Sequence, residues 1–210
     1  MNTRAMGSAI LGFMSLFDKK SGGRGGVKRY RLRGESTPER FDKITTGGGD
    51  TGKSSLTDGS RRRKDDLVIE VLGEIDETHA FLGFLKSALE NPSRRNEIEW
   101  IEHCLLTTGG MVAAAPAGMD RNIRVLGDSE IDKLEKWQMK HMEKAEIPAA
   151  FVVYGNSEAA ARADVARAVC RRAERRLVKL IMERGMTSLA SAQVFLNRLS
   201  DYLFVLARTL

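Results

Sequence analysis

The residues best suited to chemistry are arginines that recur at four-residue spacing. Between positions 162 and 179 the chain holds seven Lys or Arg residues and two acids. In a helix, Arg167, Arg171 and Arg175 form one stripe (the arginine stripe), in which like charges four apart repel by roughly 0.2–0.5 kcal/mol per pair. Arginine offers planar, paired N–H donors that suit phosphate and carboxylate groups. The pattern therefore indicates an anion-binding helix, and the alternative is a basic surface helix with partners on neighbouring helices.

A second candidate is the glycine-rich segment 47–54, which matches the phosphate-loop pattern G-x-x-x-x-G-K-[ST] letter for letter. That pattern binds phosphate between a buried strand and a helix that begins at the lysine, and neither flank predicts such an element. A phosphate-loop ATPase is therefore the minor alternative. Backbone amides of a glycine loop can also cup phosphate oxygens without that fold, with Ser54, Ser55 and Lys64 as further donors. A plain linker is the remaining interpretation.

Other reactive groups form no recognisable catalytic set. Cys104, Cys170 and the three histidines do not have the spacing of a zinc or di-iron site, so no metal ligand is assigned and the histidines are interpreted as ordinary helix residues. Asp76 lies beside the apolar stripe of the first predicted helix, which predicts a partly buried carboxylate that needs a cation. We expect its partner to be an arginine of the helix that carries the arginine stripe.

From residue 65 onward, apolar residues recur at a period of about 3.6, which is typical of helices. The pattern predicts five helices, over 65–90, 95–114, 128–144, 158–184 and 188–209. Asn91-Pro92-Ser93 is expected to end the first helix, Asp128 or Ser129 to cap the third, and Gly185 to end the fourth. The predicted apolar arc of the fourth helix consists of Val165, Val169, Ala173, Leu177, Leu180 and Ile181. Long helices with short connections predict an all-α bundle.

The positive charge of the chain is concentrated at its start. The net charge is +6, but eight Lys or Arg and one acid fall within residues 1–34, which leaves 26 basic and 27 acidic residues. Residues 1–40 are interpreted as a flexible or targeting tail, 41–64 as a loop and 65–210 as the bundle. A helical module that binds nucleic acid or acidic partners stays an alternative. Two cysteines and no apolar run of about 18 residues indicate a reducing compartment such as the cytoplasm, with no membrane span.

Four blocks of sequence resemble the PduO-type ATP:cob(I)alamin adenosyltransferases. They are TGGGDTGKSSLTDGSRRRKD (46–65), VLGEIDE (71–77), RAVCRRAERR (167–176) and FLNRLSDYLF (195–204). The last two blocks are far more specific than the phosphate-loop look-alike. The resemblance implies a five-helix, ferritin-like bundle that forms a homotrimer with active sites between subunits. In that family cob(I)alamin, or cob(I)yrinic acid a,c-diamide, attacks the 5′ carbon of ATP and triphosphate leaves.

The resemblance also implies site residues by position. The triphosphate would be wrapped by Thr46, Gly47, Gly48, Gly49, Ser54, Ser55 and Lys64. ATP with its Mg²⁺ would be held by Arg171, Arg172, Glu174, Arg175 and Asn197. Asp76 would pair with Arg167 across the subunit interface and form the catalytic set with Arg167 and Arg171. Phe151 would block the lower face of the corrin and displace its dimethylbenzimidazole base.

The resemblance has departures and further implications. The family usually has Thr-Lys-Thr-Gly where this chain has Thr46-Gly47-Gly48-Gly49, and Pro is common where this chain has Tyr154. The nucleophile is the cob(I) substrate itself, so the protein must supply positioning and electrostatic stabilisation. The implied partners are ATP, the corrinoid, a flavin-type reductase and adenosylcobalamin-dependent enzymes, with neither nucleic acid nor a membrane.

Overall fold

Five α-helices make up most of the structure, a computed structural model that describes residues 47–119, 123–147 and 149–210. They are α1 (Leu67–Ala88), α2 (Pro92–Ala114), α3 (Asp128–Met142), α4 (Glu158–Arg184) and α5 (Ala190–Ala207). Two short 3-10 turns, Ala115–Ala117 and Thr187–Leu189, follow α2 and precede α5. The prediction of a mostly helical protein with five long helices is confirmed.

The described residues divide into two compact units, one that ends at Asp66 and a second that comprises Leu67–Leu210. In the first unit the structure contains a small antiparallel hairpin of β1 (Lys53–Ser55) and β2 (Arg61–Arg63). The expectation of a loop throughout 41–64 is wrong for these residues. The hairpin turns where the Asp58 carboxylate accepts the Ser60 N–H at 2.8 Å and Gly59 adopts a positive φ of 77°. Polar strands this short carry no apolar alternation that would predict them.

Local capping chemistry explains where the helices begin and end. The Asn91 side chain accepts the N–H groups of Ser93 and Arg94 at 2.9 and 3.3 Å, so this segment starts α2. It was expected to end the first helix, which instead stops at Ala88. The third helix begins at Asp128, and its Glu130 carboxylate reaches back to the Gly127 N–H at 3.0 Å, so neither Asp128 nor Ser129 is the cap.

The bundle of the second unit is built by packing each helix through an apolar face. Helix α1 packs against α2 and α4, α4 against α5, and α5 against α3. Large apolar side chains are completely buried on every helix, each contributing about 1.5–3 kcal/mol. Examples are Leu82, Leu85, Ile98, Ile101, Leu105, Leu134, Leu177, Leu180, Phe195, Leu199 and Leu203. Among the described residues, no helix combines the length and apolar character that crossing a membrane would need.

A polar network lies inside this core. Glu97 of α2 accepts hydrogen bonds from Tyr202 of α5 at 2.9 Å and is bonded to Nε2 of His141 of α3 at 2.7 Å. All three residues are buried. His141 is therefore a tertiary contact between helices, which corrects its interpretation as an ordinary helix residue.

The two cysteines lie in the same core. Cys104 and Cys170 are both free and buried. Burial raises the pKa of the Cys104 thiol to about 12 and raises that of Cys170 as well. A thiol that stays protonated is a poor nucleophile, so neither cysteine is suited to nucleophilic chemistry.

The Glu97 network predicts a specific acid sensitivity of the fold. Burial pushes the pKa of Glu97 upward, but the hydrogen bonds from His141 and Tyr202 outweigh it and hold the pKa below its ordinary value. The unfolded chain therefore binds the proton more tightly, so stability from Glu97 is present above about pH 4.3 and is lost as pH falls through the folded pKa. At pH 7, Glu97→Gln should lower the free energy of unfolding by about 1.5–3 kcal/mol.

Urea titrations of the wild type and the variant across pH 3–7 measure this effect. The difference between the two proteins should shrink as the pH falls. Glu143→Gln, which removes an exposed carboxylate after α3, is the control and should change little. Equal losses in the two variants at pH 7 would contradict the role of the network.

Candidate functional site

Helix α4 fixes the direction of the arginine stripe through its buried face. Ser157 caps the helix by accepting the Ala160 N–H at 3.0 Å, and Gly185 ends it in the left-handed region with a φ of 66°. Four members of the predicted apolar arc are buried, namely Val169, Ala173, Leu177 and Leu180. The prediction fails at the other two positions, because Val165 is 42% exposed and Ile181 is half-buried.

Two arginines of α4 are neutralised by glutamates of α1. The Arg172 guanidinium bonds Glu74 through Nε at 2.5 Å and also bonds Glu77, and Arg176 lies 3.6 Å from the Glu70 carboxylate. Glu77 and Glu74 hold the pKa of the Arg172 guanidinium above its ordinary value. Arg172 is thus tied into the bundle, although the resemblance assigns it to ATP.

The neighbouring Arg171 and Arg175 are placed differently. Both side chains are exposed, and no carboxylate lies within 4.0 Å of either one among the residues that the structure describes. An Nη1 donor of Arg175 bonds the Arg171 carbonyl oxygen at 3.1 Å, which holds the two residues together. These two guanidinium groups therefore keep the donors and the charge that an anion requires.

Two other predicted ATP ligands contact each other beside this pair. Asn197 of α5 donates from Nδ2 to the Glu174 carboxylate of α4 at 3.0 Å. Its side-chain oxygen accepts an Arg198 N–H at 2.7 Å, and Arg198 donates to Glu135 of α3 at 2.6 Å. This chain of bonds fixes the orientation of Asn197 and Glu174 without a ligand.

Asp76 is not placed as the sequence predicted. It was expected to be partly buried beside the apolar stripe of α1, but it is exposed. Arg167, its expected partner in a trimer, donates to the Tyr154 hydroxyl at 2.7 Å and lies 5.9 Å from the Phe204 ring centroid. Within the described parts of this chain, Asp76 has no ion pair, so its pairing with Arg167 of another subunit stays a prediction.

An apolar strip projects from the segment before α4. Phe151 is fully exposed, with a relative exposure of 105%, and Val153 is 85% exposed. Between them, Val152 lines a cavity of about 370 Å³ together with Ile147, Asn156, Glu146 and Arg208. Large apolar side chains with this much exposure make the strip a candidate surface for an apolar group.

The glycine segment of the first unit forms a compact loop, residues 47–52 (the glycine loop). Gly47 and Gly52 have positive φ values of 67° and 73°, which glycine adopts without strain. The ammonium of Lys64 lies 3.1 Å from the place where a Cβ on Gly49 would sit, so a larger residue there would displace the end of the lysine side chain by a few tenths of an ångström. Thr46 lies outside the described residues.

The hairpin contradicts the phosphate-loop ATPase interpretation. That motif needs a helix from its lysine, whereas Lys53 begins the strand β1, which also contains Ser54 and Ser55. The sequence analysis also missed Arg61 of β2, which donates to the carbonyl oxygen of Gly48 and to the Ser55 hydroxyl oxygen. Its only signal was a position within three consecutive arginines. Among the described residues, no cluster of three or more His, Cys, Asp or Glu forms a metal site.

Residues 44–210 match the family model described as cobalamin adenosyltransferase. The corrinoid adenosyltransferase MMAB of Mus musculus is 36% identical over 193 residues, which cover 89% of this chain and 80% of that protein. The cobalamin adenosyltransferase of Cupriavidus metallidurans is 36% identical over 172 residues, covering 81% of this chain and 89% of that protein. The residues that the family model matches include the arginine stripe, the Asn197 segment and the glycine loop.

The fold is also similar to a solved structure with bound ligands. A variant of the PduO-type ATP:corrinoid adenosyltransferase from Lactobacillus reuteri, complexed with cobalamin and ATP, superposes with a TM-score of 0.72 at 27% sequence identity. The matched region covers 79% of this chain and 89% of that chain.

The different surroundings of Arg171 and Arg172 predict different effects on folding. Arg172→Gln breaks two ion pairs between α4 and α1, so it should lower the free energy of unfolding by about 0.5–1 kcal/mol. Arg171→Gln breaks no ion pair within the described parts of the chain and should leave stability unchanged or slightly higher, because it relieves repulsion along the stripe. Thermal unfolding of both variants checks this, and equal destabilisation would contradict the assignment.

Proposed function

We propose, because the chain belongs to the cobalamin adenosyltransferase family, that it transfers the 5′-deoxyadenosyl group of ATP to cob(I)alamin or cob(I)yrinic acid a,c-diamide. The products are the adenosylated corrinoid and triphosphate. The observation that carries this proposal is the pair Arg171 and Arg175, two exposed guanidinium groups that have no carboxylate partner among the described residues. Glu174 lies between them in the sequence of α4 and accepts a hydrogen bond from Asn197 of α5.

The reaction needs a site of this kind. The electron pair of cob(I) forms the cobalt–carbon bond to C5′, the C5′–O bond breaks, and its electrons remain on the triphosphate oxygen. Cobalt supplies the nucleophile, so no side chain has to attack. The protein lowers the barrier by holding the two reactants in line and by stabilising the negative charge of the leaving group.

Different side chains bind different parts of the ATP substrate. Arg171 and Arg175 bind ATP phosphates with charge-assisted hydrogen bonds, and Arg172 orients α4 through its bonds to α1. Thr46, Gly47, Gly48, Gly49, Ser54, Ser55 and Lys64 supply donors to the triphosphate. Mg²⁺ prefers carboxylate and phosphate oxygens, and the half-buried Glu174 fits that preference because its orientation is fixed by Asn197.

The exposed Phe151 provides the surface for the corrin. An aromatic ring that is fully exposed gains apolar contact when it packs on the face of a macrocycle. Packing there excludes the dimethylbenzimidazole base from the lower face of cobalt, which favours the cob(I) nucleophile on the opposite face.

A reaction with chemically reduced cobalamin, ATP and Mg²⁺ tests the proposed function. The absorbance of a cobalt–carbon bond should develop and disappear on illumination, since that bond is photolabile. No such absorbance with folded protein would overturn the proposal. Hydrolysis of ATP to ADP in its place would instead favour an ATPase.

Removal of one stripe arginine should impair the chemistry and spare the fold. Arg171→Ala loses at least one charge-assisted hydrogen bond worth roughly 1.5–3 kcal/mol, so kcat/KM for ATP should fall at least tenfold. Arg95→Ala, at an exposed arginine of α2, is the charge-matched control and should keep wild-type kinetics. Near-normal turnover by the Arg171 variant would count against the proposed site.

We also propose that the active form is a homotrimer in which Asp76 of one subunit pairs with Arg167 of the next. Asp76 is exposed on α1 of a single chain, so it is free to contact another subunit. Asp76→Asn should weaken both assembly and activity. The dissociation constant of the trimer should rise roughly tenfold or more, because a buried ion pair that loses one partner leaves an unpaired charge.

Analytical ultracentrifugation across protein concentration measures the assembly. Asp132→Asn, at an exposed carboxylate of α3, is the control. If Asp76→Asn leaves both the subunit mass and the turnover unchanged, the proposed pairing is wrong.

A further inference from the structure

We propose that Arg61 is a positioning residue for ATP, which holds the glycine loop in the form that binds the polyphosphate. This inference rests on the proposed function and adds a residue that neither the sequence motifs nor the family resemblance assigned. Arg61 donates from Nη2 to the carbonyl oxygens of Gly48 and, at 3.3 Å, of Lys53. It also donates from Nη1 to the Ser55 hydroxyl oxygen at 3.3 Å.

The hairpin register explains why this residue can reach the loop. Arg61 stands directly opposite Ser55, and Arg63 stands opposite Lys53. Residues two apart on a strand share a face, so the Arg61 side chain extends along the face that carries Ser55 and Lys53. Only a long side chain with several donors in one plane bridges two backbone carbonyls and a hydroxyl from that position.

Beyond its backbone the loop has few ties to the rest of the chain in the part that the structure describes, where the Lys64 N–H also bonds the Gly52 carbonyl oxygen at 2.8 Å. It contains four glycines, and its internal bonds are Asp50 N–H to Gly47 O at 3.3 Å and Gly52 N–H to Gly49 O at 3.1 Å. Glycine has the largest conformational freedom of any residue, so an unanchored loop would lose much entropy when it closes on a ligand. Arg61 reduces this loss by fixing the loop before ATP binds.

The bonds of Arg61 also make the loop region more favourable for an anion. Carbonyl oxygens repel phosphate oxygens, and Arg61 donates to two of these carbonyl oxygens, those of Gly48 and Lys53. Because Ser55 accepts a hydrogen bond from Arg61, the single hydrogen of its hydroxyl remains available to donate to a phosphate oxygen. The Lys64 ammonium adds a positive charge beside Gly49 in the same unit. Arg61 thus prepares Ser55 and the loop, while Lys64 supplies a direct ligand.

Arg63 offers a matched control for charge. It lies on the same strand and face as Arg61, but its side chain bonds Asp65 at 2.7 Å through Nε. Among the described residues it makes no bond to residues 47–52. Arg63→Gln therefore removes the same charge from the same hairpin and leaves the loop bonds intact.

The test compares Arg61→Gln, Arg61→Lys and Arg63→Gln with the wild type. Calorimetry gives the dissociation constants for ATP and for inorganic triphosphate, and steady-state kinetics give KM for ATP, KM for cob(I)alamin and kcat. We expect Arg61→Gln to raise the two dissociation constants and KM for ATP about tenfold, by the loss of one to two hydrogen bonds. KM for cob(I)alamin should be unchanged, and Arg63→Gln should stay within about twofold of wild type.

The lysine variant separates positioning from charge. Arg61→Lys keeps the charge but cannot bridge the two carbonyls and Ser55, so it should recover less than half of the lost affinity. Equal effects of Arg61→Gln and Arg63→Gln, or full rescue by lysine, would overturn the inference, because charge alone would then account for binding. Unchanged ATP affinity in both Arg61 variants would overturn it as well.

The same experiment distinguishes this inference from the proposed function. If the wild type binds ATP and loses affinity on Arg61→Gln but forms no cobalt–carbon bond, the adenosyl transfer is wrong and the role of Arg61 in ATP binding stands. If the bond forms equally in wild type and variant at low ATP, the role of Arg61 is wrong and the transfer stands.

Discussion

The repulsion among arginines on α4 is the constraint on which the rest of the structure depends. Seven positive side chains lie between residues 162 and 179, and the helix supplies two acids of its own. Glutamates of α1 neutralise Arg172 and Arg176, which also locks the rotation of α4 against α1. Arg171 and Arg175 receive no such carboxylate among the described residues, and we propose that a bound polyanion relieves their mutual repulsion. Under that proposal, different arginines of one helix stabilise the bundle and bind polyphosphate.

The glycine loop of the first unit combines close backbone approach with order. In the proposed site the loop brings backbone amides and hydroxyls close to an anion. This role favours residues without side chains, but the loop must also be ordered to bind well. Arg61 and Lys64 reconcile the two demands from the hairpin that follows the loop. An enzyme whose corrinoid substrate is itself the nucleophile needs positioning and charge stabilisation from its protein.

The sequence predicted those features that depend on local chemistry. Helix α4 was predicted at its observed bounds, because its apolar period, the Ser157 cap and Gly185 are all encoded nearby. The hairpin was missed because three-residue polar strands leave no periodic signal. Local patterns also could not predict contacts between distant segments. Glu97 bonds Tyr202, which is 105 positions away, and Arg172 bonds Glu74, which is 98 positions away. The ion pairs of Arg172 with Glu74 and Glu77 were likewise not predicted, because spacing alone cannot show which arginine a neighbouring helix neutralises.

The central claim is that cationic and backbone donors stabilise an intact triphosphate as it leaves C5′. Phosphorus-31 NMR of a completed reaction with reduced cobalamin, ATP and Mg²⁺ tests this directly, because it identifies every phosphate product. The account predicts one equivalent of unbroken triphosphate for each cobalt–carbon bond formed. Orthophosphate with ADP, formed in place of triphosphate at the same rate with or without the corrinoid, would contradict it.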